Sequence, residues 1–540
     1  MAEQDIAGDI IKRYDALVSQ RGTWESHWTE IADRVLPRYS VPYQSPGSEI
    51  TRGEKRTEKM LDSTAALGLE RFAAAMESML TPRNQKWHRL KASDPSLMQD
   101  HDVKLWFEDA TNRLFKHRYS PKANYSSQQH EVYIGLGAFG TGVMFTDHHD
   151  KGGLRYQATD LRELYFDMSH QAMIDTAYRK YCLTARQMQQ RVDTGRWDKI
   201  PDSVVSTLKT NPDKQYEIIH CVRPRIEIEP GRLDARGKQF ASYYISVQDR
   251  TVLSEGGFNT FPYQVSRYVT GPGEIYGRSP AMLALPAIKV LNEQKKTLLK
   301  QGHMVVDPVL LSHDDGILDT FSLKPGTMNP GGVSAEGRAL VHTLPTGNLA
   351  AGQELMNMER SVINDAFLVS LFQILIETPT MTATEVLERA REKGALLSPT
   401  MGRQQSEMLG PMIERELDVL SKQGLLSPMP PQLAEAEGEF DIEYDSPLSR
   451  SQRSEEAAGW LRTLEAAIAY ANTTQDLSVL DQFNTDVIYQ QLAEINAVPA
   501  SWMNDLDTVK AQREQRAQQQ QAQQMIEMAP AAAGVMKALQ

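Results

Sequence analysis

The stretch Thr378–Lys393 reads TPTMTATEVLERAREK and constrains the fold more than any other. Pro379 stops an incoming helix, because proline lacks the amide that would continue it. Thr382 and Glu385 then form a T-x-x-E capping box, with Met381 and Val386 at the hydrophobic-staple positions. Helical periodicity precedes the stop, from about residue 350 to 376, with Leu355, Met358, Val362, Ala366 and Val369 on one stripe. A second helical segment follows, to about residue 423, with breaks expected at Pro399 and at Gly410-Pro411. Two long helices joined by so short a turn must pack on each other or be held by neighbours.

A further long helix precedes this pair. Tyr276–Gly302 reads YGRSPAMLALPAIKVLNEQKKTLLKQG, with Ser279 as N-cap and Pro280 at the first helical position. Pro286 either kinks this helix or moves its start one turn later. Between the two long helices lies an irregular stretch rich in Pro, Gly and Asp, residues 307–348. Residues 1–120 read as helical: Trp24, Trp28 and Ile31 share one face, and Leu61–Pro82 is rich in small residues that admit a close helix neighbour. Asp62 or Ser63 caps that second segment. Residues 130–270 read as strand-rich, with runs at 143–147, 216–222, 241–247 and 263–269 and a short helix at 185–192. Phe440, Ile442 and Tyr444 alternate as one face of a strand, and residues 453–528 are helical, ending in a Gln-rich run. The fold class expected is α+β, mainly α.

The charge balance limits the function. Lys+Arg 58 against Asp+Glu 70 leaves a net charge of −12, so the chain is not a domain that grips duplex DNA along a whole face. Two cysteines, Cys182 and Cys221, rule against a disulfide framework and are expected in or beside strands, in the core. Glu3 and Asp5 stand where a signal peptide carries positive charge, and the longest apolar run, residues 366–376, is too short to span a bilayer, so no membrane contact is expected.

Three motifs invite chemistry. GLGAFGTG at 135–142 matches G-x-G-x-x-G, but a helix-like segment precedes it and a strand follows, the reverse of a dinucleotide site. It reads as a helix-to-strand turn. DHHD at 147–150 reads as a polar hairpin rather than a metal site. Lys289, Lys295, Lys296 and Lys300 on the helix from 280 form either a solvated face or a weakly attractive strip for phosphates. No catalytic motif, cofactor or metal site is expected, and no enzyme.

Six segments together resemble the portal, or head-to-tail connector, proteins of short-tailed double-stranded DNA bacteriophages. They are WESHWTEIADRVLP, LDSTAALGLERFAAAMESMLTP, FGTGVMF, YGRSPAMLALPAIKVLN, TPTMTATEVLERAREK and IEYDSPLSRSQ, in the family's order and reaching to about residue 500. The resemblance implies a ring, usually of twelve subunits, around an axial channel at one capsid vertex, through which DNA is packaged and ejected and to which the tail attaches. It divides the chain into N-terminal helices and wing (1–275), stem helix (276–302), clip (303–348), second stem helix (349–376), tunnel loop (377–383), kinked wing helix and strand (384–450) and crown with Gln-rich tail (451–540). Glu377, Thr378, Pro379, Thr380, Met381 and Thr382 would then face the channel, with the four lysines on the stem. The implied partners are further copies of the chain, the major capsid protein, the scaffolding protein, internal core proteins, the terminase during packaging, the tail adaptor protein, and double-stranded DNA in transit. The implied location is the virion, with the host cytoplasm during assembly. The rival readings are a helical scaffold or adaptor without a channel, and a nucleotide-dependent enzyme resting on Gly135–Gly142.

Overall fold

A computed structural model describes residues 3–39, 57–312 apart from 230 and 233, parts of 322–345, 347–369, 399–445 apart from 437, 447–474, 483–495, 498, 500–504 and 508–520. The chain divides into two compact units, residues 1–81 with 121–419, and residues 82–120 with 420–540. Both mix helices and strands, helices being in excess, so the fold is α+β.

The first unit is built on a five-stranded antiparallel sheet in the order β4-β5-β6-β7-β8, from β4 (Leu164–Met168), β5 (Ile174–Thr184), β6 (Gln215–Pro224), β7 (Phe240–Ser246) and β8 (Thr251–Phe258). Side chains alternate across a strand. In β6 this sends Ile219 and Cys221 to one face and Tyr216 and Ile218 to the other. The first face is covered by Ala7, Ile10, Tyr14 and Leu17 of α1 (Glu3–Val35). The second is covered by Ala185, Met188, Trp197 and Val204, contributed by α5 (Ala185–Asp193), α6 (Asp202–Thr210) and their connection. Thr184 and Gln187 close a reciprocal capping box on α5. The runs expected at 216–222 and 241–247 are β6 and β7, and the short helix at 185–192 is α5.

A three-stranded antiparallel sheet, β3-β2-β9, joins β2 (Thr141–His148) to β3 (Leu154–Ala158) and β9 (Tyr263–Arg267). Before it, α4 (Tyr125–Phe139) packs on α2 (Thr64–Leu80). The small residue at this contact belongs to α4: a Cβ on Gly137 would fall 2.6 Å from Leu69 and 2.8 Å from Phe72, while on α2 a Cβ on Gly68 would fall 3.1 Å from Phe367. Gly135 and Gly137 lie inside α4, and Gly140 caps it in the left-handed region at φ 76°. The glycine motif is therefore a helix end and not a nucleotide loop.

Two long helices follow, α7 (Pro280–Val306) and α8 (Leu349–Ala366), packed on each other. Pro286 is accommodated inside α7 without delaying its start. Between them β10 (Leu310–Ser312) and β11 (Val341–Thr343) pair as an antiparallel ribbon. α8 closes at Phe367, which is fully buried against Gly68, and Leu368 turns left-handed at φ 59°. Residues 370–376, expected to continue this helix, lie outside the described residues.

Residues 399–404 are helical, 405–409 form a π-helical turn, and α9 (Gly410–Lys422) continues the helix. The break expected at Gly410-Pro411 is thus a widening. Pro411 has no amide to donate and its ring crowds the carbonyl four residues back, and the amide of Gly410 reaches the carbonyl of Gln405. This turn is clasped to β9: Gln404 Nε2 donates to the Arg267 carbonyl at 3.0 Å, and Arg267 pairs with both carboxylate oxygens of Glu407.

The second unit contains β1 (His88–Ala92) paired antiparallel with β12 (Phe440–Tyr444), the strand expected from the 440–444 alternation. It also holds α3 (His101–Arg118) and the C-terminal helices α10 (Pro431–Glu435), α11 (Pro447–Thr474), α12 (Thr485–Ile495) and α13 (508–520). His88 is buried with its imidazole beside the Arg118 guanidinium, and burial followed by that charge holds its pKa well below the ordinary histidine value.

Candidate functional site

The α7–α8 hairpin is rooted at one end and bare at the other. At its root, Ser279 Oγ accepts from the Met282 amide at 3.0 Å and donates to the Ala138 carbonyl at 2.8 Å. The cap thus starts the helix and also ties it to the end of α4. Gly140 and Gly277 meet backbone to backbone, where a Cβ on either would fall within 2.3 Å of a carbonyl oxygen of the other. Ala281, Ala284, Leu285, Ile288, Leu291 and Asn292 are buried, and no residue of α7 beyond Asn292 is. At about 1.5 Å per residue, the last fourteen residues project on the order of 20 Å.

Both helices are pegged to the start of α2. Asn292 Oδ1 accepts from the amides of Leu61 and Asp62 at 2.8 and 3.1 Å, and Arg360 of α8 pairs with Asp62 at 2.7 Å. Burial alone would raise the Asp62 pKa. Bonds from Thr64 and Arg360 outweigh it and hold the carboxyl below its ordinary value. Asp62 is thus the side chain that caps α2, through Thr64, while Ser63 makes no side-chain cap bond. No local pattern announces the Asp62–Asn292–Arg360 peg, because its members lie on three separate helical segments.

Three of the four lysines share a face. At 100° per residue, Lys289, Lys296 and Lys300 fall within about 40° of one another. Lys295 points about 120° away, into the sector of Ile288 and Leu291. Lys289 is engaged by Glu30 at 2.7 Å, and that bond is the main reason the Glu30 carboxyl titrates low. Lys296 lies 3.9 Å from Glu293, a weak pairing. Among the described residues, no carboxylate pairs with Lys295 or Lys300. The tunnel-loop residues Glu377, Thr378, Pro379, Thr380, Met381 and Thr382 lie outside the described residues.

The stripe expected on α8 does not all face one way: Leu355, Met358 and Val362 are exposed, Ala366 is half-buried and Val369 is buried. Met356 and Ile363 are buried, whereas Leu355, Met358 and Val362 are 53%, 58% and 54% exposed. On α7, Leu283 is 76% and Val290 45% exposed, and Val306, Val309 and Leu311 towards the ribbon are exposed as well. Isolated exposed apolar residues are ordinary, but a run along two adjoining helices marks a contact surface.

The other candidate motifs are structural. Arg196 donates to Asp150, Asp147 and the His148 carbonyl, and Arg415 also reaches Asp147 at 3.5 Å, so DHHD is a braced hairpin. Burial would raise the Asp147 pKa, but the hydrogen bond and charge of His148 and the charge of Arg415 bring it down to about 2. Among the described residues no group of three His, Cys, Asp or Glu is placed to hold a metal. Cys221 is buried in β6 as expected, its thiol pushed up to about 12 by burial, and Cys182 is half-buried in β5. No described helix is long and apolar enough to cross a membrane.

Known proteins resemble this chain along nearly its whole length. The family model described as bacteriophage head to tail connecting protein matches residues 7–503. The portal protein of Salmonella phage epsilon15 is 27% identical over 543 residues, covering 98% of this chain and 94% of that protein. The probable portal protein of Bordetella phage BPP-1 is 30% identical over 494 residues, covering 90% and 86%.

Proposed function

Since the chain belongs to the bacteriophage head-to-tail connecting family, that of phage portal proteins, we propose that its copies close into a ring. The ring lines a channel for double-stranded DNA at one capsid vertex. The observation that carries this reading is the uncovered apolar surface along α7 and α8. Fully burying a Leu, Val or Met side chain contributes roughly 1.5–3 kcal/mol, so several per subunit, repeated around an axis, favour closure. Identical head-to-tail contacts that close by rotation give a ring.

In this reading α7 and α8 are the stem, the ribbon between them is the clip, and the helices after residue 451 form the crown. The 377–383 turn projects into the channel. Its threonines and Met381 carry no charge and Glu377 repels phosphate, so DNA can slide past without being held. The net charge of −12 has the same logic, since a strongly basic lining would retain its cargo. The subunit performs no chemistry. A terminase supplies the motor and docks at the clip, a tail adaptor replaces it, and the wing meets the major capsid, scaffolding and core proteins.

Mass photometry and negative-stain imaging of the purified chain test the ring. A discrete annular species of about twelve subunits is expected, whereas a chain that stays monomeric under every assembly condition refutes it. Electron cryo-microscopy of that ring tests the turn, which must lie at the narrowest point of the channel.

A further inference from the structure

A sheet edge presents unpaired backbone groups, and folded chains close such edges. The two larger sheets are closed by their own chain. On β4 the Leu164 carbonyl accepts from Arg21, and on β8 the Leu253 carbonyl accepts from the Lys199 amide at 3.2 Å. On β3 the amides of Tyr156 and Ala158 donate to the Ala123 carbonyl and to Gln128, at 3.1 and 2.7 Å. On β9 Gln404 caps the Arg267 carbonyl.

The β1–β12 pair is closed on one side only. The Asp445 amide donates to the Trp87 carbonyl at 2.8 Å, and the Ser93 amide to the Glu439 carbonyl at 3.4 Å. Bonded and non-bonded pairs alternate along an antiparallel ladder. The pairs Leu90–Ile442 and Ala92–Phe440 are therefore non-bonded, and their backbone groups point outward. On β1 the outward amides of Leu90 and Ala92 meet Thr111 Oγ1 and Met98 Sδ, both at 3.3 Å. On β12 the outward amides and carbonyls of Phe440 and Ile442 meet no partner among the described residues.

The side chains beside this edge select its occupant. Glu439, Asp441, Glu443 and Asp445 alternate on one face. Lys91 and Arg89 of β1 lie 2.8 and 3.9 Å from Glu443 and Asp445. Glu439 and Asp441 are exposed, and no cation pairs with them among the described residues. Such a row repels phosphate and attracts a basic strand. Among the described strands, a second copy offers no match. β10 and β11 carry no Lys or Arg. A second β12 would set acid against acid, and the edges of the larger sheets and of β1 are taken.

We propose that the free edge of β12 docks an extended segment of another protein, one with Lys or Arg at alternate positions as β1 has at Arg89 and Lys91. Main-chain bonds to Phe440 and Ile442 supply affinity, and the basic side chains meet Glu439 and Asp441. The site does not depend on ring closure, so either reading can fail alone.

Fluorescence anisotropy with a labelled peptide, TRLKLRT, tests it on the full chain. Saturable binding is expected, and hydrogen exchange at the Phe440 and Ile442 amides slows when the peptide is bound. The acidic counterpart TELELET does not bind. Methylating every backbone amide of TRLKLRT keeps its charge and weakens binding about tenfold or more. Ile442→Pro removes an amide that no ladder bond uses, and has the same effect with the unfolding midpoint unchanged. Failure of TRLKLRT to bind overturns the proposal, and so does equal binding of the methylated peptide, which is charge attraction alone. Phe440 and Ile442 amides already protected in the peptide-free ring put a second copy on this edge and overturn it too.

Discussion

The five-stranded sheet and the α7–α8 hairpin solve opposite problems. The sheet is covered on both faces by its own chain, α1 on one side and α5 with α6 on the other. The hairpin is covered where α7 meets α8 and where its root packs on α1, α2 and α4, and Leu355, Met358 and Val362 remain in solvent. A sheet closed on both sides folds as part of a self-sufficient unit. A hairpin closed on one side is complete only when something else covers it. The difference separates residues that hold the subunit together from residues that, in the proposed ring, would hold subunits to one another.

Substitutions at the junction should break that contrast most severely. Gly140→Val places a Cβ 2.3 Å from the Gly277 carbonyl at a φ of 76°, so both the backbone and its neighbour must move. Several kcal/mol are expected, read as loss of soluble folded chain. Phe72→Ala, which empties a fully buried site against Gly137 and Tyr268, should cost about 3–5 kcal/mol in chemical denaturation. If either leaves the subunit as stable as wild type, the body is less self-sufficient than its packing implies.

Acid sharpens the comparison from another side. His220 is fully buried, bonded to Tyr263 and Ser242, and its pKa is lowered to about 3, chiefly by burial and then by the Arg179 and Arg191 charges. Its folded pKa lies below the unfolded value near 6.5, so its contribution is full above that value and is lost as pH falls from about 6.5 towards 3. The unfolded chain takes up a proton there that the fold refuses, a slope of about 1.4 kcal/mol per pH unit. His220→Gln should flatten the stability–pH curve by close to one proton over that window, measured by urea titration at each pH.

Smaller effects belong to the hairpin. Ser279→Ala removes the α7 cap bond and should cost about 1 kcal/mol. Leu355→Asn should change the stability of the lone subunit by no more than about 0.5 kcal/mol. The same variant should sharply lower the ring fraction in mass photometry. A Leu355→Asn chain that unfolds as readily as Phe72→Ala would place the α8 stripe in the subunit core after all.

Much of the architecture is written in local patterns. Runs of β-branched and aromatic residues between turns mark β2, β6, β7 and β9, and alternation marks β12, because a pleated strand repeats every two residues. Ser279-Pro280 marks the start of α7, because a cap needs a side-chain acceptor and proline tolerates only the first turn. Six short segments in fixed order also carry the family. Local pattern fails where a residue's meaning depends on a distant neighbour. GLGAFGTG has the spacing of a phosphate loop, yet its glycines admit Leu69, Phe72 and Gly277. Lys289 reads as one of a lysine strip, yet it is held by Glu30.

The apolar period of α8 was legible, but its direction was not. Periodicity shows that Leu355, Met358 and Val362 share a side, and it is silent on whether that side meets the chain's own core. The sequence by itself determined the long helices, the strands β2, β6, β7, β9 and β12, the Ser279 cap and the family, but not β1, which lies in a segment that reads as helical. Only the tertiary structure decided that Met356 and Ile363 face inward and that Asp62 pegs both α7 and α8, because burial depends on which distant segments pack around a residue, and a local repeat carries no information about them.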